Sequence, residues 1–226
     1  MTLTTWNLLA DCHLRPGWYP HVAPADLDPV VRWPRVLAAL TASNADILCL
    51  QEVPPAQLDA IRAALAPRQI VHAPHLGEGV AIASRVPFFG VETVEVGRKR
   101  AIVARLATGQ RVASVHLTWT GPEGDQRPGV TQLAAVLRLA PDILAGDFNA
   151  FPDWPERRLA NDAGYLDIGP GAPTCNVNAW LQPLDTVLVR PPLSGRGAPL
   201  PAITAHTPMP SALFPSDHLP VTVRIE

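Results

Sequence analysis

The side chains with the most chemical potential are Asn7, Glu52, His116, Asp147, Asn149, Asp185, Asp217 and His218. Carboxylate and amide oxygens are the ligands that hard cations such as Mg²⁺ and Mn²⁺ prefer, with several waters retained. Glu52 and Asn7 supply such oxygens, and Asp217 and His218 are further candidate ligands. Hydrolysis of a phosphate ester needs charge neutralisation, a base that orients water, and donors for the non-bridging oxygens. Asp147 has the type for the base, Asn149 and His116 for the donors. His218 can face metal or phosphate, and the adjacent Asp217 is placed to fix its tautomer and orientation.

These residues share a position: each sits at the end of an apolar run. Residues 3–7 read as a first strand closed by Asn7, and 46–51 as a strand buried on both faces, followed by Glu52. His116 follows 112–115, Asp147 and Asn149 end the run 143–146, Asp185 opens a late strand, and Asp217-His218 precedes the last one. Strands converging on one rim of a sandwich would gather them in one cleft.

Helices are expected over 33–42, 57–65, 130–140 and 156–163; in the first, Pro34 suits the opening position and Val36, Leu37 and Leu40 recur at helical spacing. Residues 69–73, 79–84, 88–96, 101–106 and 110–117 are β-branched or alternating, with Thr108-Gly109-Gln110 as a hairpin turn. Residues 191–201, rich in Gly, Pro and Arg, read as a surface loop. Without repeats or a linker, the order implies one domain over 1–226, an α+β sandwich of two packed sheets with helices outside.

Composition narrows the class. A chain of 226 residues, 47% hydrophobic and 17% charged, is an ordinary globular protein long enough for a large core. Its 26 prolines lie between apolar runs and imply tight loops. The net charge of −2 excludes the global basic field of a non-specific duplex binder, and Arg98-Lys99-Arg100 and Arg157-Arg158 read as solvated faces. Lys99 is the only lysine among many arginines, alanines and prolines, which suggests a GC-rich bacterial genome. Cys12, Cys49 and Cys175 have no paired spacing, which argues against disulfides and thiolate-bound zinc and for a reducing compartment. Cys49 lies in an apolar run and should be buried. With no leader-like N-terminus and no apolar stretch of membrane-spanning length, the chain is expected to be cytoplasmic, monomeric and without a membrane partner.

The segments Thr5-Trp6-Asn7, Leu50-Gln51-Glu52, Gly146-Asp147-Phe148-Asn149, Leu184-Asp185 and Ser216-Asp217-His218-Leu219-Pro220 resemble, in order, the signature of the endonuclease/exonuclease/phosphatase superfamily. The resemblance implies a DNase I-like four-layer α/β/β/α sandwich that uses Mg²⁺ or Mn²⁺ to hydrolyse phosphodiesters or phosphomonoesters. It implies that Glu52 is the principal metal ligand, with Asn7 supporting metal or phosphate. Asp147 resembles the residue that orients or deprotonates water, and Asn149 the one that binds the scissile phosphate. Asp185 and Asp217 resemble the later acidic pair, and His218 the closing histidine. Gly79-Val80-Ala81-Ile82 with Ser84-Arg85 is similar to the family's central strand, which makes Arg85 a candidate substrate contact.

Within the superfamily, Leu9 stands where abasic-site endonucleases carry an acidic residue, and His116 resembles the phosphate-binding histidine of the phosphatase and exonuclease branches. Trp6-Asn7-Leu8-Leu9-Ala10-Asp11, with Trp33 and Arg35 following, is similar to the deadenylase, nocturnin and angel group. So is the run from His116 through Trp119 to Pro122, with Arg127 and Gln132 beyond it. One departure is Pro183-Leu184-Asp185-Thr186, where the family carries Arg-Ile-Asp-Tyr. The group acts on RNA or nucleotide-derived phosphates, so the expected substrate is a single-stranded RNA end or short oligonucleotide, 2′,3′-cyclic phosphates included. Alternatives are a phosphatase on small phosphorylated metabolites or inositol phosphates, and a DNA nuclease. A non-catalytic binding module is disfavoured because no site position is degraded. Trp18, Tyr19, Trp119, Trp154 and Phe214 lie near the motifs and can stack on bases, with Trp119 and Phe214 the leading candidates.

Overall fold

In a strand covered on both faces, alternate side chains serve different cores. The computed structural model, which describes residues 1–121 and 127–226, places β2 (Ile47–Gln51) in that situation. Ile47 and Cys49 join one cluster, Leu48 and Leu50 another. Pro122, at the end of one motif, lies outside the described residues.

β1 (Thr2–Asn7) runs parallel to β2, with Asn7 opposite Gln51. β4 (Glu78–Ser84) flanks β2 antiparallel, β3 (Gln69–His75) pairs with β4, and β14 (Val221–Ile225) pairs with β1. β13 (Gly195–Gly197) completes this six-stranded sheet in the order β13-β14-β1-β2-β4-β3. The second sheet consists of β5 (Phe88–Val96), β6 (Lys99–Leu106), β7 (Arg111–His116), β8 (Ile143–Asp147), β12 (Asp185–Val189) and β9 (Leu166–Asp167), in that spatial order. β7 and β8 are parallel, with His116 opposite Asp147, and β12 runs antiparallel with Asp185 opposite Asp147.

The sheets stack through Leu3, Ile82, Ile102, Val112, Ile143 and Val187. On the outside of the first, α1 (Pro29–Ala42) and α2 (Leu58–Leu65) bury Trp33, Val36, Leu40 and Ile61 against Trp6, Leu48 and Leu50. On the outside of the second, α3 (Pro128–Leu137) and α4 (Pro155–Asp162) bury Leu133, Val136 and Ala160 against Leu144, Phe148 and Leu188. The result is the expected four-layer α/β/β/α sandwich.

Local details differ from the sequence reading. α1 starts at Pro29, because Asp28 caps it by accepting the Val30 N–H; Pro34 therefore lies inside the helix. Residues 191–201 include β13, which hydrogen-bonds along the free edge of β14. A hairpin of β10 (Cys175–Val177) and β11 (Trp180–Gln182) escaped the sequence reading. Its turn residues Asn178 and Ala179 have φ of 55° and 56°, a geometry usually signalled by Asn-Gly. Gly146 is required by contact: a Cβ there would lie 2.0 Å from the Val115 carbonyl oxygen, between the strands that carry His116 and Asp147. All three cysteines are free, with Cys49 buried as expected. Among the described residues no helix is long and apolar enough to cross a membrane.

Candidate functional site

Parallel strands end at the same rim, and an antiparallel neighbour begins there. Asn7 and Glu52 therefore leave the first sheet beside His116, Asp147 and Asp185 of the second. Buried polar contacts pin the sheets together below them: the Gln51 amide donates to Ser114 Oγ at 3.2 Å and to Thr5 Oγ1 at 3.1 Å. Left-handed backbone at Glu52 (φ 53°), Asn149 (φ 46°) and Leu9 (φ 59°) turns the chain sharply at the rim. Such conformations cost about 1–3 kcal/mol each and cluster at functional sites.

Asn7 joins the two sheets. Its amide N–H₂ donates to Glu52 Oε1 and to Asp147 Oδ2, both at 3.0 Å, while its own oxygen accepts the Leu9 N–H. The expected oxygen ligand is thus engaged as a brace between two carboxylates. Glu52 Oε2 accepts the Ala10 N–H at 2.7 Å. Asp147 Oδ1 accepts the Asn149 N–H at 2.8 Å, and the Asn149 side chain donates to the Leu117 carbonyl.

His218 enters from the turn before β14. Its Nδ1 lies 2.7 Å from Asp185 Oδ2, which Thr174 Oγ1 also contacts at 2.7 Å, and its Nε2 lies 3.9 Å from Asp147. Asp185 therefore fixes the imidazole, a task the sequence reading gave to Asp217. Asp217 instead accepts a hydrogen bond from the buried Tyr19 hydroxyl at 3.0 Å. Tyr19, a candidate base platform in the sequence, is a brace. Arg32, fully buried, donates to the carbonyls of Leu8, Leu9 and Pro215 and pairs with Asp11, tying the loop after Asn7 to the loop before Asp217.

Electrostatics follow from burial and proximity. Burial alone would raise the Asp147 pKa, but His218 and His116 beside it hold the carboxyl below its ordinary range. Burial opposes a charge on His218, yet Asp185 and its neighbours raise its pKa well above the usual histidine value. Burial lifts the Asp217 carboxyl, and Glu52 adds to that shift while His218 opposes it. Burial pushes the Cys175 thiol up to about 12, which keeps it protonated although it lies beside His218.

These groups open on a cavity of about 360 Å³. Glu52, His116, Asp147, Asn149, Asp217 and His218 line it, with Asn7 and Asp185 one layer behind. Trp119 stands at its lip, 5.5 Å from Trp154 and 5.9 Å from Trp180 between ring centroids.

Three candidates fall elsewhere. Trp154 does not line the cavity and packs against Trp119 and Phe151. β4 runs antiparallel to β2, so Arg85 emerges beside Asp46 at the opposite end of the sheet, where it donates to the Asn44 carbonyl. Phe214 is half-buried and does not line the cavity.

The sequence reading also missed Glu78, His13, Lys99 and Trp180. Lys99, read as solvated surface, lies with its ammonium 2.8 Å from Glu78 Oε1 and 3.1 Å from His116 Nδ1. A rule that searched strand beginnings as well as strand ends would have found Glu78 and Lys99.

The donor set fits a hard divalent cation. Glu52, Asp147 and Asp217 present buried carboxylates to one cavity, and their mutual repulsion is what a cation relieves. Ligand atoms of His13, Glu52 and Glu78, of Asp147, Asp185 and His218, and of Cys175, Asp217 and His218 each lie within 4.8 Å of one another.

Buried carboxylates, imidazoles and amide groups gathered at one rim suit the hydrolysis of a phosphate ester. The chain belongs to the endonuclease/exonuclease/phosphatase family, which it matches over residues 4–218. It is thus a phosphoesterase of a family whose enzymes are generally divalent-metal dependent. No curated protein matches the chain.

Among solved structures, ANGEL2, described as a 2′,3′-cyclic phosphatase in complex with adenosine-2′,3′-vanadate, is 19% identical with a TM-score of 0.85, covering 99% of this chain and 94% of that one. The human Nocturnin catalytic domain is 20% identical with a TM-score of 0.72, covering 100% and 93%. D. rerio TDP2 complexed with a single-strand DNA product is 17% identical with a TM-score of 0.69, covering 100% and 98%. At these identities the likeness is one of fold.

Proposed function

We propose that the protein is a Mg²⁺- or Mn²⁺-dependent phosphodiesterase that hydrolyses phosphoesters at RNA ends or in short oligonucleotides, 2′,3′-cyclic phosphates among them. The observation that carries this reading is the aromatic lip beside the acidic site. Trp18, Trp119 and Trp180 are 49%, 37% and 43% exposed, and all line the cavity that holds Glu52, Asp147 and His218. Every base has a π-face, and stacking on such side chains contributes about 1–3 kcal/mol per base. The ligand named for ANGEL2, an adenosine 2′,3′-vanadate, is of the same chemical kind.

Glu52 and Asp217 would hold the cation, with Asn7 and His218 beside them. When bound, it would supply charge neutralisation at the phosphoryl oxygens. Asp147, ionised at neutral pH, accepts a proton from the attacking water and orients it. Asn149 and His116 donate to the phosphoryl oxygens. His218, kept cationic by Asp185, stabilises the charge that develops there. The chain acts as one catalytic unit, a monomer in the cytoplasm.

The test is a panel of single-stranded RNAs with defined 3′ ends, duplex DNA, inositol phosphates and generic phosphomonoesters, each with Mg²⁺ or Mn²⁺. Cleavage of an RNA end, lost in Asp147→Ala and in His218→Ala, is expected. Trp119→Ala and Trp180→Ala should raise KM for oligonucleotides by about 1–3 kcal/mol in free-energy terms. Turnover of phosphomonoesters or duplex DNA ahead of every RNA end would overturn the reading, as would full activity without metal.

A further inference from the structure

Lys99 is the only lysine of the chain and, among the described residues, no arginine joins it in lining the cavity. β6 separates the three consecutive basic side chains at its start. Arg98 is exposed, and Arg100 turns to Glu95 and the Pro74 carbonyl. Lys99 turns inward, its side chain 17% exposed, with its ammonium 2.8 Å from Glu78 Oε1 and 3.1 and 3.2 Å from the His116 ring nitrogens. Glu78 is itself buried, and its other oxygen lies 3.1 Å from His13 Nε2. Glu78 thus holds the ammonium against the histidine from behind. An ammonium has three N–H donors. Glu78 accepts one and the His116 ring, which also faces Glu78 at 3.5 Å, occupies at most a second, leaving one for the cavity.

An entering phosphoester faces Glu52, Asp147 and Asp217 in a protein of net charge −2. No arginine lines the cavity among the described residues, so the attraction on the His116 wall falls to one ammonium. We propose that Lys99 is a substrate-binding residue whose ammonium contacts a non-bridging oxygen of the anionic phosphate on the His116 side of the cleft, with Glu78 as its positioning residue. This rests on the reading of the site as a phosphodiesterase centre. The competing role is purely structural, with Lys99 serving only as counter-ion to a buried glutamate.

The two roles separate in Lys99→Met, Lys99→Arg, Glu78→Gln and the double variant Glu78→Gln/Lys99→Met, with Arg98→Met as a control for net charge. The probes are inorganic phosphate, titrated calorimetrically at fixed Mg²⁺, and a short oligoribonucleotide ending in a 2′,3′-cyclic phosphate. Lys99→Met should weaken phosphate binding at least tenfold and raise KM more than it lowers kcat. Losing one phosphate contact to a single strand should also make the salt dependence of log kcat/KM shallower by about 0.7. Lys99→Arg should keep most of the phosphate affinity, Arg98→Met all of it, and the double variant should remain as weak as Lys99→Met. Should Lys99→Met fail to fold, the double variant is compared with Glu78→Gln, which removes the need for a counter-ion.

Wild-type phosphate affinity in Lys99→Met, or its recovery in the double variant, would overturn the proposal. If the wild type opens no RNA end but binds phosphate through Lys99, the substrate reading fails and Lys99 keeps its role. If RNA ends are cleaved and Lys99→Met is indistinguishable from wild type, this proposal alone fails.

Discussion

Replacing Asp185 by asparagine leaves the shape of the site intact and removes one charge from behind His218. His218 Nδ1 lies 2.7 Å from Asp185 Oδ2, and both side chains are buried. A hydrogen bond to a charged partner contributes about 1.5–3 kcal/mol. Asp185→Asn should therefore bring the raised His218 pKa down, because the carboxylate that holds the imidazolium is gone. At about 1.4 kcal/mol per factor of ten, losing that bond should lower kcat about 10- to 100-fold on the alkaline side, and the alkaline limb of the pH–rate profile should move to lower pH.

Stability gives an independent reading in metal-free protein. A histidine pKa raised by folding contributes stability that is complete below the unfolded value of about 6.5 and drains away as pH rises through the folded value. The wild type should therefore exceed Asp185→Asn in Tm by most in mildly acidic solution, and the gap should narrow as pH rises. An unshifted alkaline limb with near wild-type kcat, or a Tm gap that widens with pH, would refute the coupling.

Glu52→Gln should weaken Mn²⁺ binding more than about tenfold, read by electron paramagnetic resonance of free Mn²⁺ without any substrate present. Arg32→Met leaves the carbonyls of Leu8, Leu9 and Pro215 without their buried donor and should cost on the order of 3 kcal/mol in guanidinium unfolding. Arg85→Ala, at the far end of β4, should leave kcat/KM within about twofold of wild type and change stability by no more than about 0.5 kcal/mol.

Where sequence and structure agree, the signal was local. The runs before Glu52, His116 and Asp147 are apolar at nearly every position because their strands are covered on both faces, so strand and flanking polar residue could be read together. Gly146 is encoded for an equally local reason, the Val115 carbonyl 2.0 Å from where its Cβ would stand. Cap and turn details were harder: Pro34 looked like the start of α1, but Asp28 caps the helix earlier, at Pro29, and Asn178-Ala179 lacks the glycine that marks a tight hairpin.

By itself the sequence determined the long central strands, the layers they imply, and the ordered residues from Asn7 to His218 that its motifs carry; the short strands β10, β11 and β13 it did not. It could not determine strand direction, since alternation is the same read either way. Tertiary pairing decided that. β4 runs away from the rim, so Glu78 reaches the site and Arg85 does not; β6 also runs away, so Lys99 meets His116 instead of solvent. Pairing across β8 and β12 likewise gave His218 to Asp185 rather than to its neighbour Asp217, because a side chain's partner is set by the strand beside it in space and not by the next residue in the chain.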